Sequence, residues 1–462
     1  MRSFSFTSPD ELAEAHLELL HLARGLPAAR PGTTRADGSA AELPWRLLCS
    51  GLPPAVGRGA DRARRGVSHP ANAGYRRGLA AVPFIPAAAP AIGICGSYGG
   101  LNAGDEAILT ATVAQLRAHV PGARITVFSR DPDHTRAHHD VHNVLPQRDT
   151  LRADLSGELE QLDLLLLGGG GLLYDREAAS YLNVARLAQS LGIRTATYAI
   201  GAGPLKRESE RREVAHVLNA MHRITVRDVR TKALLEQIGV EQEILVTADP
   251  AVLLTPEAFS VGRLHREGIG TGRAIVGMSL REPGGAAEDL EAGVYHGLLA
   301  SAADFIVSRF DADVVFLPME RSDIRESHRV VAEMGLAERA FVLKKEYSPG
   351  ELLGLMRLLD MAVGMRLHFI LFAALSGVAV QALPYASKVD ALLDQLGLSA
   401  PGPIQREHTG VLLAAIDRLW DTRAEQTANL ARRIPEMKRR ACETAPLVLE
   451  LVSQPQPPIA AA

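Results

Sequence analysis

The chain has 462 residues, 50 Lys and Arg against 53 Asp and Glu, a formal net charge of -3, and 47% hydrophobic but only 5% aromatic residues. That length serves two or three domains, and the near-neutral balance argues against a protein held to nucleic acid by counterion release. Three separated cysteines (Cys49, Cys95, Cys442) form no disulfide or CxxC framework, no apolar run nears the roughly 20 residues of a bilayer span, and MRSFSFTSPDELAEAH lacks a signal-peptide core.

The expectation is a soluble cytoplasmic enzyme or binding protein. Residues 1–90 differ from the rest. They hold 10 of the 27 prolines and 11 arginines against 7 acidic residues, a local charge of +4 that leaves -7 for the body. Within them, Pro9 to Leu26 reads as one amphipathic helix with Ser8 as N-cap. Pro27 to Pro90 reads as a disordered or linker segment, and the basic stretch Arg58–Arg65 as a solvated linker, the alternative being contact with acidic lipid or a partner.

Regular structure is expected from Ala91. AIGIC (91–95) is a strand, and GSYGGLNAGDEAIL turns through glycines into a helix whose first turn holds Asp105 and Glu106. RITVFSR (124–130) is the next strand. LDLLLLGGGGLLYD (162–175) is an apolar strand, as a strand buried on both faces should be, ending in glycines. TATYAIGAGP (195–204), RITVRD (223–228) and ILVTAD (244–249) follow, with helical stretches between. A polar, Gly-rich stretch at 255–273 separates this unit from a second one. There AIVGMSLRE (274–282) and DVVFLPME (313–320) are strands, and DMAVGMRLHFILFAALSG (360–377) is a strand running into an apolar helix. The last expected strand, loop and helix span 378–397. The fold expected is α/β: two Rossmann-like domains, 91–260 and 274–400, facing across a cleft, with a helical tail over 401–462.

Chemistry in such folds sits at the carboxyl ends of the strands. In the first half these carry Asn102, Asp105, Gly169, Gly170, Gly201, Arg227 and Asp228. In the second they carry Arg281, Glu320, Arg366, His368 and Lys388. The first loop has no Gly-Lys-Ser/Thr and no GxGxxG at dinucleotide spacing, which argues against ATP or NAD. Four consecutive glycines are costly in chain entropy unless a ligand or another backbone passes close. Arg366 and His368 lie at the mouth of a buried helix, where an arginine fork suits carboxylate or phosphate and a histidine can move a proton near neutral pH. His134, His138 and His139 read as a solvated loop rather than a zinc site, and no metal is required by the visible residues.

The combination GSYGGLNAGDEAIL, LLLLGGGGLLYD, YAIGAGP, ITVRD, TADPAVLL, GMSLRE, GMRLHFILFAALSG and PYASKV resembles the polysaccharide pyruvyl transferase family, of the CsaB type, from about Ala91 to Leu398. The resemblance implies a fold like that of the GT-B glycosyltransferases. It also implies transfer of a pyruvyl group from phosphoenolpyruvate to a sugar hydroxyl pair of a cell-surface glycan or its precursor, giving a cyclic ketal and phosphate. No other cofactor is implied. By motif position Arg227, His368 and Lys388 correspond to the family's essential site residues, with Arg366 completing the Arg-x-His pattern.

Read with that chemistry, His368 is the expected catalytic acid and Arg227, Arg366 and Lys388 bind the donor. Asn102, Asp105, Gly169, Gly170, Arg281 and Glu320 are expected to contact the acceptor or shape its loops, with Asp175 a weaker acceptor contact. A lipid-linked acceptor would bring the enzyme to the inner face of the membrane without spanning it. The competing class is a GT-B glycosyltransferase using a nucleotide sugar. That class usually offers a ribose-binding carboxylate soon after the second Gly-containing turn, whereas here no acid follows Gly364 until Asp390.

Overall fold

The computed structural model of the chain describes residues 89–100, 102–147, 152–283, 290–400, 402 and 409–453. The expected helix at Pro9–Leu26, the basic stretch Arg58–Arg65 and nearly all of the Pro/Arg-rich extension lie outside the described residues.

The first half alternates strand and helix: β1 (Ala91–Cys95), α1 (Ala103–His119), β2 (Arg124–Ser129), α2 (Pro132–His138), β3 (Asn143–Pro146), α3 (Arg152–Leu159), β4 (Leu164–Leu173), α4 (Ala178–Ser190), β5 (Arg194–Ala202), α5 (Glu208–Asn219), β6 (Ile224–Val226), α6 (Val229–Gln237) and β7 (Ile244–Val246). A 3-10 turn at Pro250–Leu253 and a short helix, α7 (Val261–Arg266), lead to the second half. That half runs β8 (Ala274–Ser279), α8 (Ala292–Phe310), β9 (Ala312–Phe316), α9 (Arg321–Glu333), β10 (Ala340–Val342), α10 (Pro349–Met356), β11 (Met361–Gly364), α11 (Leu367–Leu375), β12 (Val380–Ala382) and α12 (Ser387–Leu396). Three helices end the chain: α13 (Thr409–Asp421), α14 (Arg423–Cys442) and α15 (Thr444–Ser453).

Both sheets are parallel and doubly wound, in the orders β3-β2-β1-β4-β5-β6-β7 and β10-β9-β8-β11-β12. This is the expected pair of Rossmann-like halves. The central strands are apolar throughout because both faces are covered. Ile92, Ile94, Leu164 and Leu166 point into one core, while Cys95, Leu165 and Leu167 point into the other. The first of these cores does not stop at the domain edge. It continues through α1 and the 3-10 turn into Phe369 and Phe372 of α11, Leu430 of α14 and Val448 of α15.

The terminal helices return across the molecule. α13 packs on α8 and β12, α14 on α11, α12 and the 3-10 turn, and α15 on β5 and α1 of the first half. One apolar body therefore joins the halves.

Local signals set the helix starts. Asn102 Oδ1 accepts from the Gly104 and Asp105 amides at the start of α1. Asp131 caps α2 with Pro132 at its first position, and Ser348 with Glu351 forms a capping box on α10. α11 is buried on nearly every side, so it depends on its neighbours for its place.

Three expectations change. The glycines 168–171 lie inside β4, which runs on to Leu173, rather than ending it. β3 and α2 occupy a stretch with no strong apolar period, so the loop expected around His134, His138 and His139 is largely helix. The polar 255–273 stretch contains α7, and just before that helix the Glu257 amide donates to the Gly350 carbonyl of α10 at 2.9 Å.

Leu430 is fully buried in the shared core. Leu430→Ala should lower the unfolding free energy by about 2–5 kcal/mol, the usual range for a buried leucine. Urea unfolding followed by circular dichroism measures this. A change of a few tenths would mean that α14 does not hold the halves together.

Candidate active site

Each sheet reverses its strand order once, between β1 and β4 in the first half and between β8 and β11 in the second. Ligands of open α/β sheets bind outside the strand ends at such points. Here the two switch points meet. The loop after β1 and the start of α1 lie against the loop after β9 and the start of α11. The Ala103 amide donates to the Met319 carbonyl at 2.9 Å, and Asn102 Nδ2 donates to Glu320 Oε1 at 2.5 Å.

His368, at the start of α11, sits against Gly104 of α1. A Cβ on Gly104 would fall 1.9 Å from His368 Nδ1, so only glycine lets the imidazole occupy this place. The other ring nitrogen, Nε2, is buried, makes no hydrogen bond, and lies 3.6 Å from Asp249 Oδ2. Asp249 follows β7 and accepts from Arg227 Nη1 at 2.8 Å. Arg227, at the end of β6, also lies 3.6 Å from Asp228, which caps α6 through the Thr231 amide. Burial alone would raise the Asp249 carboxyl. His368, Arg227 and the Ala251 amide outweigh it and hold it well below the usual carboxylate range.

Asp105 lies in the first turn of α1. Burial pushes its carboxyl up to about 6, against the pull of His368, Ser97 and Lys388. A carboxyl so placed can hold or give up a proton near neutral pH.

The second half contributes the cations. Arg366 was expected to present an open fork. In the structure the fork is closed on the protein's own carboxylates: Nη1 and Nη2 donate to Glu320 at 3.0 and 2.9 Å, and Nη2 and Nε donate to Asp323 at 2.5 and 3.1 Å. Burial works against the Arg366 charge, but these acids keep it firmly protonated. Asp323 also accepts from the Met319 and Glu320 amides, which fixes the loop that reaches Asn102.

Arg281, after β8, lies 4.5 Å from the Tyr385 ring and pairs with Glu282. Lys388 Nζ lies 5.6 Å from the same ring and has no carboxylate within ion-pair distance among the described residues. Burial would raise the Tyr385 phenol, yet Lys388, Arg281 and Arg366 together lower it. Three cations thus converge on one ring. Ser279 Oγ and Arg281 Nε, like His368 Nε2, are buried without hydrogen-bond partners. Polar atoms left this way on strand ends and a helix mouth fit a polar ligand, since unmet burial is costly.

The structure brings together Asn102, Asp105, Arg227, Arg281, Glu320, Arg366, His368 and Lys388. The glycines play another part than expected. What passes close to Gly169 is a side chain, Ile108 Cγ2, 2.4 Å from where a Cβ would stand. Gly170 has φ +89° and lies beside Asp105, so it shapes the floor under that carboxylate. Asp175 accepts from the Lys206 amide at 3.0 Å and ties down the loop after β5, apart from this cluster.

Asp249, Asp323, Ser279 and Tyr385 were not singled out from sequence. Asp249 stood in plain view in TADP, an acid directly after an apolar strand. Tyr385 and Ser279 carried no signal of their own.

The two acids respond oppositely to pH. Asp105 has a raised folded pKa, so between its ordinary value of 3.8 and about 6 the folded chain holds a proton that the unfolded chain has released. Stability therefore falls as pH rises through that window, by up to about 3 kcal/mol. Asp249, whose pKa is depressed, contributes stability above the ordinary carboxylate value and loses it as pH falls. Asp105→Asn should remove the first effect. Urea unfolding at pH 4 and pH 7 should show a smaller loss of stability in the variant than in the parent; equal losses would rule out a raised Asp105 carboxyl.

A family model described as polysaccharide pyruvyl transferase matches residues 102–387, well over half of the chain. No curated protein matches in sequence. Among solved structures, the chain is similar to a Staphylococcus aureus MnaA–UDP co-structure (TM-score 0.56, 12% identity, covering 77% of this chain and 94% of that one). It is also similar to a putative UDP-N-acetylglucosamine 2-epimerase from Listeria monocytogenes (0.55, 13%, 78% and 94%). A glycosyltransferase from Rickettsia africae is a third (0.50, 11%, 79% and 96%). At these identities the structures speak for the GT-B-like fold alone. No described helix is long and apolar enough to cross a membrane. By this match over more than half of its length, the chain belongs to the polysaccharide pyruvyl transferase family.

Proposed function

We propose that the chain moves a pyruvyl group from phosphoenolpyruvate to two hydroxyls of a glycan sugar or its precursor, releasing phosphate and leaving a cyclic ketal. The observation that carries this reading is the convergence of Arg281, Lys388 and Arg366 on Tyr385, beside His368. A small donor with a carboxylate and a phosphate needs several cations within a few ångströms. Lys388 and Arg281 are the ones with capacity to spare. Arg227 and Arg366, already engaged by Asp249, Glu320 and Asp323, orient the walls of the pocket.

In the first step His368 delivers a proton to the methylene carbon, and a sugar oxygen bonds to the adjacent carbon. Asp105 takes the proton from that hydroxyl, a task its raised pKa suits. The bond from this carbon to the phosphate oxygen then breaks. Lys388 stabilises the departing phosphate. The second hydroxyl closes the ring and returns its proton to His368, and the proton on Asp105 leaves with phosphate. Asn102 and Glu320, bonded across the cleft, form an edge for the acceptor. A lipid-linked acceptor of the CsaB type, presented at a membrane face, fits the same chemistry.

A nucleotide-sugar donor is the second reading, because the S. aureus neighbour is a UDP complex. Against it, α11 opens with His368 and carries no acid.

Phosphate release from phosphoenolpyruvate in the presence of candidate glycans, with nucleotide sugars as control, separates the two. Ketal formation detected by mass would support the proposal, and turnover of a nucleotide sugar alone would overturn it. His368→Gln should lower kcat by about 10²–10⁴-fold, the usual range for a general acid. Near-normal turnover in that variant would reject the role of His368.

Gly104→Ala gives an independent check. It should displace the imidazole and lower kcat by on the order of 10²-fold. Its melting temperature should also fall, because the added methyl overlaps a packed imidazole and overpacking of this kind costs about 1–3 kcal/mol. An unchanged kcat would show that the contact between Gly104 and His368 is dispensable.

A further inference from the structure

A second constellation lies on the other side of Glu106. His134 and His138 are four residues apart on α2 and therefore share one face. Glu346 reaches them from the loop between β10 and α10, in the opposite half of the molecule. One ligand atom from each of the three lies within 4.8 Å of the other two.

The hydrogen bonds already sort the nitrogens. His138 Nδ1 bonds to the His134 carbonyl at 2.8 Å, which leaves Nε2 as its open atom. His134 Nε2 lies 3.1 Å from Glu346 Oε1. His134 Nδ1 is buried, has no hydrogen-bond partner, and faces Glu106 Oε2 at 3.9 Å. Metal-binding histidines commonly have this form: one nitrogen toward the ion, the other backed by a carboxylate or carbonyl. Glu106 is itself held, by His139 Nε2 at 2.6 Å and the Gly99 amide at 2.8 Å.

We propose that His134, His138 and Glu346 form a zinc-type site that clips the two halves together beside the β1–α1 loop. Two imidazoles and one carboxylate suit Zn²⁺, and also Co²⁺ or Ni²⁺, rather than Ca²⁺ or Mg²⁺, which prefer oxygen. The histidine rings now stack, with centroids 4.1 Å apart. Bound metal would splay them. None of its three ligands is among the residues of the cleft cluster around His368.

The test uses the full chain without a histidine tag, stripped with chelator and then titrated with Zn²⁺ and with Co²⁺. The parent should bind one equivalent of each and show the visible absorbance of low-coordinate Co²⁺. Zn²⁺ should raise its melting temperature. His138→Ala and Glu346→Gln change exposed side chains and should remain folded by circular dichroism. Each should lose the Co²⁺ absorbance and the thermal shift. Glu106→Gln should retain the site but bind roughly 10–100-fold more weakly, as for an outer-shell partner. The proposal is overturned if the parent holds no more zinc than His138→Ala, or if Glu346→Gln binds as the parent does.

Discussion

The absence of a side chain at residue 104 governs how the cleft is assembled. His368 Nδ1 stands 1.9 Å from where a Gly104 Cβ would be, so the start of α1 and the start of α11 meet with an imidazole pressed into backbone. That approach fixes the distance between the halves. It brings Asp249, at the end of one sheet, to 3.6 Å from a ring carried by the other, and it sets Asn102 in reach of Glu320. The shared apolar core supplies the driving force to hold the halves together, and the glycine determines how close they come.

Charge is arranged around that contact in two ways. Arg227 and Arg366 are each matched by carboxylates, so burying them does not leave charge unmet. A buried ion pair of this kind contributes little net stability but is costly to break. Its value here is geometric, since Asp323 ties Arg366 to the loop that meets the first half. Arg281 and Lys388, stacked about Tyr385, are less compensated. An anionic ligand would be drawn to them rather than to the two paired arginines. An acidic body can therefore still attract a small dianion.

Much of this was legible in the chain. The strands were found because two-sided burial writes continuous apolar runs such as AIGIC and LDLLLL, and the helix mouths because polar residues follow those runs directly. Arg227, Arg366, His368 and Lys388 lay among these strand-end residues, and the family resemblance is what set Arg227, His368 and Lys388 apart from the others. β3 and α2 were not visible, because short edge elements carry too few apolar residues to show a period. The glycine run was recognised as unusual, but its neighbours, Ile108 and Asp105, come from a helix some sixty residues earlier. Asp323 sits in the first turn of α9, and nothing in its sequence neighbourhood points to Arg366.

Local pattern by itself determined the two Rossmann-like halves, the helix starts, and the list of residues at strand ends. Those follow from hydrophobic period and capping chemistry, which act over a few residues. Only the tertiary structure decided which of the charged groups are spent on one another and which are left for a ligand. It alone paired Arg366 with Asp323, lodged His368 on Gly104, raised the Asp105 carboxyl by burial, and set Glu346 beside two histidines 212 and 208 residues away. The physical reason is that electrostatic and packing energies depend on distance in space, and the separation along the chain does not encode it.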